Sequence, residues 1–245
     1  MKRLKNTPRR TRRRDGDTEQ RILDAAHAVF VRRGTAGTRM QEIAAEAGVN
    51  QALLHYYFRN KEQLARAAFE RCGPIDLLVN NVGDVAPEQL SWRDIDEHVI
   101  DRVLEVDIKG TMLTTHEIGS RMLDAGGGAI VNVCSNVVVT GSARAPQYAA
   151  SKYAVLGLTK SYAAAFAPTV RVNALGPGYM ETLTTLERED WQSGRRDKVL
   201  ERTPLGRIPG PEELVGMVVF LGSEDSAHMT GGFVLCDGGF SMVGA

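Results

Sequence analysis

The chain changes texture at Cys72–Gly73–Pro74, and this break limits the folds open to it more than any other feature. Before it, apolar residues recur at helical spacing. After it, short β-rich runs alternate with long helical patterns. Charge divides at the same place. Of 30 basic and 30 acidic residues, positions 1–71 hold 16 and 8, whereas positions 72–245 hold 14 and 22. The net charge of zero therefore conceals two units of opposite sign, an asymmetry that suggests different partners. No apolar run approaches the roughly 18 residues of a membrane span. The three cysteines, Cys72, Cys134 and Cys236, are odd in number and widely spaced, which excludes a disulfide framework and a zinc knuckle. The basic first residues are not followed by the apolar stretch of a signal peptide. A reducing, cytoplasmic setting follows, with no membrane partner and no metal.

Residues 2–14 carry eight Lys or Arg and no acid, so positions 1–16 read as a disordered basic arm. Four short helices are expected next. Asp17 with Gln20 forms an N-cap pair, behind which Ile22, Ala26, Val29 and Phe30 share a face that ends at Gly34. Thr38 with Gln41 opens a second helix with Met40, Ile43, Ala44 and Ala47 inward. Gly48 breaks it, and Asn50 caps a third helix burying Leu53, Leu54 and Tyr57. Asn60 starts a fourth, packing Leu64, Ala67 and Ala68. Two helices joined by a tight glycine turn make a helix-turn-helix.

The run TRMQEIAAEAGVNQALLHYYFRNKEQL resembles the DNA-binding head of TetR-type repressors, over about residues 17–71. That resemblance implies double-stranded DNA as partner. Gln51, Ala52 and His55 would face base edges, and Thr38, Tyr56 or Tyr57, and Lys61 would hold phosphates. His55 departs from the family, which more often has Tyr.

In the acidic unit, residues 72–245, strands are expected at 75–80, 129–133, 169–174 and 233–236. Helices are expected within 91–123, 146–167 and 211–222, the last opened by Pro211. Strands buried on both faces with helices between them mean a parallel sheet. The fold class is thus α + α/β: a three-to-four-helix head followed by a truncated Rossmann-like parallel sheet with flanking helices. Asn80-Asn81-Val82-Gly83 follows the first strand, Ser135 the second, and Tyr148-x-x-x-Lys152 comes thirteen residues after that serine. NALGPGYMET follows the third strand and GGFVLCDGG closes the chain. At positions i and i+4 of a helix, Lys152 sits beside the Tyr148 phenol, and its ammonium would favour the phenolate.

Together these motifs resemble the C-terminal two-thirds of a short-chain dehydrogenase/reductase. The resemblance implies a catalytic set of Ser135, Tyr148 and Lys152. The family usually has Asn where Asp107 stands, in VDIKGT, so Asp107 takes the fourth catalytic position. Tyr148 would exchange a proton with the substrate oxygen, which Ser135 also bonds, while Lys152 holds a nicotinamide ribose. Asn80, Asn81 and Gly83 would line the path of NAD or NADP, and Pro177, Gly178 and Thr182 would face the nicotinamide. The stretch 181–205, with Trp191, would form a substrate loop.

The family's opening strand, its GxxxGxG turn and the following helix are missing from this sequence. Gly126–Gly128 precedes a strand instead of following one, and so reads as a turn. Only the nicotinamide half of a dinucleotide site is expected, and the strand at 75–80 becomes an apolar sheet edge. Three functions fit. The leading one is a DNA-binding regulator whose second unit pairs subunits through helices near 101–123 and 146–167, as a homodimer or homotetramer. The second is an NAD(P)-dependent oxidoreductase interconverting a small carbonyl and its alcohol. The third is a gene fusion with neither activity.

Overall fold

A computed structural model describes residues 11–71, 73–83 and 92–242. The chain divides into two compact units, Met1–Gly73 and Pro74–Ala245.

The first unit holds four helices: α1 (Thr11–Gly37), α2 (Met40–Glu46), α3 (Gln51–Tyr57) and α4 (Lys61–Glu70). Their ends follow local side-chain chemistry. The Asn50 side chain accepts from the Leu53 N–H at 2.8 Å, and Asn60 from the Gln63 N–H at 2.8 Å, so both expected caps are in place. The cap of α2 lies one residue later than expected, at Arg39, whose own N–H donates to the Glu42 carboxylate. α1 begins at Thr11 and runs through Asp17, so residues 11–16 are helical; the first ten residues of the expected arm lie outside the described residues. Ile22, Val29, Phe30, Ile43, Leu54 and Leu64 form the core of this unit.

Two of the residues expected to hold DNA phosphates are otherwise engaged. Thr38 is buried at 2% exposure, which removes its hydroxyl from any phosphate. Lys61 donates its ammonium to the Thr38 carbonyl at 3.3 Å. Tyr57 packs on the helical core. Gln51, Ala52, His55 and Tyr56 are exposed, as surface positions of a short helix are.

The second unit is an α/β fold of Rossmann type. Strands β1 (Leu77–Asn80), β2 (Gly128–Val133), β3 (Val170–Pro177) and β4 (Phe233–Cys236) form one sheet in the order β1-β2-β3-β4, all parallel. The strand expected at 233–236 lies there. The one at 75–80 is shortened, and the one at 169–174 runs on to Pro177. Between strands lie α5 (Glu97–Val103), α6 (Gly110–Ala125), α7 (Val137–Thr140), α8 (Pro146–Phe166), α9 (Leu183–Leu186), α10 (Arg196–Arg202) and α11 (Val215–Gly222). One sheet face packs Ile130, Val170 and Val172 on Met122 of α6 and Phe166 of α8. The other packs Val131 and Leu175 on Leu221 of α11. Helices on both faces explain why the strands are largely apolar on both sides instead of alternating.

The glycine cluster is a turn, as expected. Gly126 ends α6 in the left-handed region at φ +89°, a conformation that a side chain would oppose, and β2 begins two residues on. Beneath the helices runs a line of buried polar groups. The Asn80 amide donates to Asn132 Oδ1 at 2.8 Å and to Thr115 at 2.9 Å, and the Asn132 amide donates to Thr159 at 2.9 Å. Arg171 reaches from β3 to the end of α11, donating to the Leu221 and Ser223 carbonyls. β1 is a sheet edge, with Val79 38% exposed.

Both tryptophans of the chain, Trp92 and Trp191, lie in this second unit, so their fluorescence reports its unfolding separately. Leu175 is 1% exposed. Leu175→Ala is expected to cost about 2–5 kcal/mol in urea unfolding followed by tryptophan emission. Val139→Ala, at a half-exposed site, is expected to stay within about 0.5 kcal/mol of the parent.

Candidate active site

The carboxyl ends of β1, β2 and β3 open into a pocket of about 200 Å³. This is where parallel α/β sheets hold their ligands. The β2–β3 ladder continues past both strands: the Cys134 N–H donates to the Leu175 carbonyl at 2.7 Å, and that of Asn136 to Pro177 at 2.9 Å. Ser135, between them, is thereby fixed, and its hydroxyl accepts the Val137 N–H at 3.3 Å. α8 starts with Pro146 in its first turn, where a missing N–H costs nothing. One turn apart on this helix, Lys152 Nζ lies 5.5 Å from the centre of the Tyr148 ring. The ammonium also donates to the Val133 carbonyl at 3.4 Å.

Asp107 lies on a widened, π-helical stretch, Leu104–Lys109, between α5 and α6. Such turns re-aim a side chain that a regular helix would direct elsewhere. Asp107 is fully buried, with Oδ2 3.5 Å from Lys152 Nζ and accepting from the Ser151 hydroxyl at 2.8 Å. Gly83 closes over this pair. A Cβ there would lie 2.8 Å from Lys152 Nζ, so a side chain would displace the ammonium.

The pocket brings together Ser135, Tyr148 and Lys152 with Asn81, Gly83, Pro177 and Gly178, all expected from the sequence. Val133, Cys134 and Met180 also line it; each is a chain neighbour of a motif residue, which was the available signal. Besides Asp107, three expected residues lie outside the pocket lining. The Asn80 side chain turns inward, accepting from Thr114 at 2.7 Å besides its two amide bonds, so it is held within the fold and away from the pocket. Thr182 caps α9 by accepting from the Thr185 N–H. Trp191 is 3% exposed and stacks on Tyr179 beside Phe240, so it anchors its segment as core.

Lys152 does not bring the phenol toward working pH, as the spacing had suggested. Burial pushes Tyr148 up to about 12; a hydrogen bond from Ser135 opposes this, while the charge of Asp107 adds to it. Burial likewise raises the Cys134 thiol.

A family model described as "Enoyl-(Acyl carrier protein) reductase" matches residues 24–241. The chain belongs to the short-chain dehydrogenase/reductase family. It is 37% identical to the 3-oxoacyl-[acyl-carrier-protein] reductase FabG of Thermotoga maritima over 179 residues, 73% of this chain and 71% of that protein. To the enzyme of the same name from Aquifex aeolicus it is 33% identical over 229 residues, 89% of each chain. Among solved structures, a gluconate 5-dehydrogenase from Burkholderia cenocepacia in complex with NADP and tartrate is similar at 30% identity and TM-score 0.66, over 75% of this chain and 72% of that one. A short-chain alcohol dehydrogenase from Sinorhizobium meliloti matches at 32% identity and TM-score 0.65, over 91% of this chain and 90% of that one.

These matches correct the expectation for residues 17–71. The dehydrogenase/reductase match takes in residues 24–71 as well as the whole described sheet, so the TetR-type head, its DNA partner and the regulator function are set aside. The physical reason lies in the signals used. Asn caps and a glycine turn fix where helices stop and start; they carry no information about nucleic acid. Among the described residues no helix is long and apolar enough to cross a membrane, and no group of His, Cys, Asp or Glu is placed to hold a metal ion.

Beyond the pocket of this dehydrogenase/reductase, Asp190 collects three guanidinium groups: Arg188 at 2.9 Å, with Arg144 and Arg195 each at 3.1 Å. Arg195 also donates to the Tyr179 hydroxyl at 3.0 Å, tying the cluster to the aromatic core. The Arg188 hydrogen bonds above all hold the Asp190 carboxyl down to about 2, against an ordinary 3.8. A carboxyl depressed in the folded state stabilises it above the ordinary value, and this contribution is lost as pH falls through about 2. The gap in thermal midpoint between the parent and Asp190→Asn, read by tryptophan emission, is therefore expected to be full at neutral pH and to close on acidification. A gap unchanged with pH would contradict the ion cluster.

Proposed function

We propose that the chain is an NAD(P)-dependent oxidoreductase interconverting a small carbonyl compound and its alcohol. The observation that carries this reading is the convergence of Ser135, Tyr148 and Lys152 on one pocket at the carboxyl ends of a parallel sheet.

The donor set fits the nicotinamide end of a dinucleotide. A buried ammonium, a hydroxyl and a phenol line the pocket beside Gly83 and Gly178. Lys152 and Tyr148 would hold the ribose hydroxyls, with Asn81, Gly83, Pro177 and Gly178 along the cofactor's path. When bound, the nicotinamide supplies or accepts the hydride. Two solved relatives, the gluconate 5-dehydrogenase and a 2-deoxy-d-gluconate 3-dehydrogenase from Agrobacterium tumefaciens, carry NADP. No glycine turn of the form GxxxGxG occurs in this sequence, and the residues brought together at the pocket are those suited to the nicotinamide end.

The residues divide the proton chemistry among themselves. Ser135 donates a hydrogen bond to the substrate oxygen and sets it against the Tyr148 hydroxyl. Tyr148 gives its proton to that oxygen on reduction and takes it back on oxidation. Lys152, one helical turn away, holds the ribose and thereby the reacting face. Val133, Cys134, Pro177 and Met180 supply the apolar part of the lining around the reacting atoms.

Titration of the purified protein with NADH and NADPH, followed by nicotinamide fluorescence, is expected to saturate. Tyr148→Phe, which loses one ribose contact but keeps Lys152, is expected to weaken that binding far less than it lowers carbonyl reduction, which should fall about 10²–10⁴-fold. Absence of binding by the folded protein would overturn the proposal.

A further inference from the structure

The Asp107–Lys152 pair changes what the catalytic lysine can do. Lys152 Nζ lies 5.5 Å from the centre of the Tyr148 ring, and alone it would favour a phenolate. It is not alone: a fully buried carboxylate lies 3.5 Å away, fixed by the Ser151 hydroxyl on the next residue of the same helix. The lysine side chain is itself 4% exposed, so water screens neither charge. The charge of Asp107 acts on the phenol against that of the ammonium.

We propose that Asp107 is a positioning residue that neutralises Lys152 and so keeps Tyr148 a neutral phenol, tuning the site toward carbonyl reduction. This rests on the oxidoreductase reading given above and deepens it. A neutral phenol is the form that donates a proton to a carbonyl oxygen. The reverse direction requires the phenolate as base, and it is thereby confined to alkaline pH. Of the other groups facing Tyr148, Cys134 and Tyr179 reinforce the bias and the Ser135 hydrogen bond opposes it. Ser135 at the end of β2 hydrogen-bonds the phenol, Cys134 beside it is a thiol raised by burial, and Tyr179 beyond β3 is a second phenol, bonded to Arg195. Lys152, on α8, is the cation of the set lining the pocket, and Asp107 answers it from the π-helical turn.

The test is ionisation of Tyr148 in the protein without cofactor, by near-ultraviolet phenolate absorbance, each variant being read against its own Tyr148→Phe background. Asp107→Asn frees the ammonium and is expected to move the Tyr148 transition about one pH unit toward acid. Asp107→Glu, which keeps the carboxylate, is expected to restore the parent value. Asp107→Asn combined with Lys152→Gln removes both charges and is expected to titrate like the parent. That double variant decides the matter even if the single one, left with an unpaired buried ammonium, does not fold. An unmoved transition in Asp107→Asn, or a displaced one in the double variant, would overturn the proposal. Alcohol oxidation gives the second readout: its pH profile in Asp107→Asn should shift the same way, through kcat more than KM. If the parent shows no turnover, the oxidoreductase reading fails while the titration still judges the role of Asp107.

Discussion

The parallel ladder between β2 and β3 is the constraint on which the site depends. It does not stop where the strands stop. Two further backbone hydrogen bonds, from Cys134 and Asn136, carry it past the last strand residues. Ser135 is held between them by the backbone, its hydroxyl adding a bond from the Val137 N–H, and Pro177 and Gly178 face it from the neighbouring strand end. α8 then returns antiparallel to the strands and presents Tyr148 and Lys152 over that shelf. Backbone pairing thus sets the catalytic geometry, and side-chain chemistry is added to a frame already rigid.

The parts of this design that repeat locally were readable from residues alone. β4 shows as a run of Phe, Val, Leu and Cys between glycine turns, and the start of α8 shows in Pro146. Ser135, Tyr148 and Lys152 were readable because their spacing is fixed by one strand end and one helical turn. Asn80, Thr182 and Trp191 were misplaced for the opposite reason. Asn80 and Trp191 sit beside motifs in the chain, but their direction is settled by distant partners, Thr114 and Asn132 for Asn80 and Tyr179 and Phe240 for Trp191, while Thr182 is turned into the cap of α9 by the nearby Thr185. Strand and loop spacing cannot say whether a side chain enters a pocket or the layer beneath it.

The helical unit teaches a related lesson. Asn50 and Asn60 cap the helices they were expected to cap, whereas α1 runs through Asp17 and α2 is capped at Arg39, so the local reading was sound at two of four helix starts. The assignment of a partner was not, because capping is indifferent to what a helix touches. Thr38 makes the point: it lies just before α2, where an exposed hydroxyl could meet a phosphate, yet it is buried. Asp107 is the converse case. Sequence placed it among catalytic residues but could not show that it would be sealed against Lys152, since that contact depends on the widened turn that aims it inward.

The buried line of Asn80, Asn132 and Thr159 acts as a lock on register. Strands apolar on both faces carry no alternation to tell one alignment from the next, and a slide by one residue would lose little hydrophobic contact. A slide of β1 along β2 would separate Asn80 from Asn132 and leave amide groups without partners in a dry interior, a penalty that grows with each group stranded. A few polar atoms beneath the helices thereby select the single alignment in which the strand ends meet at one pocket.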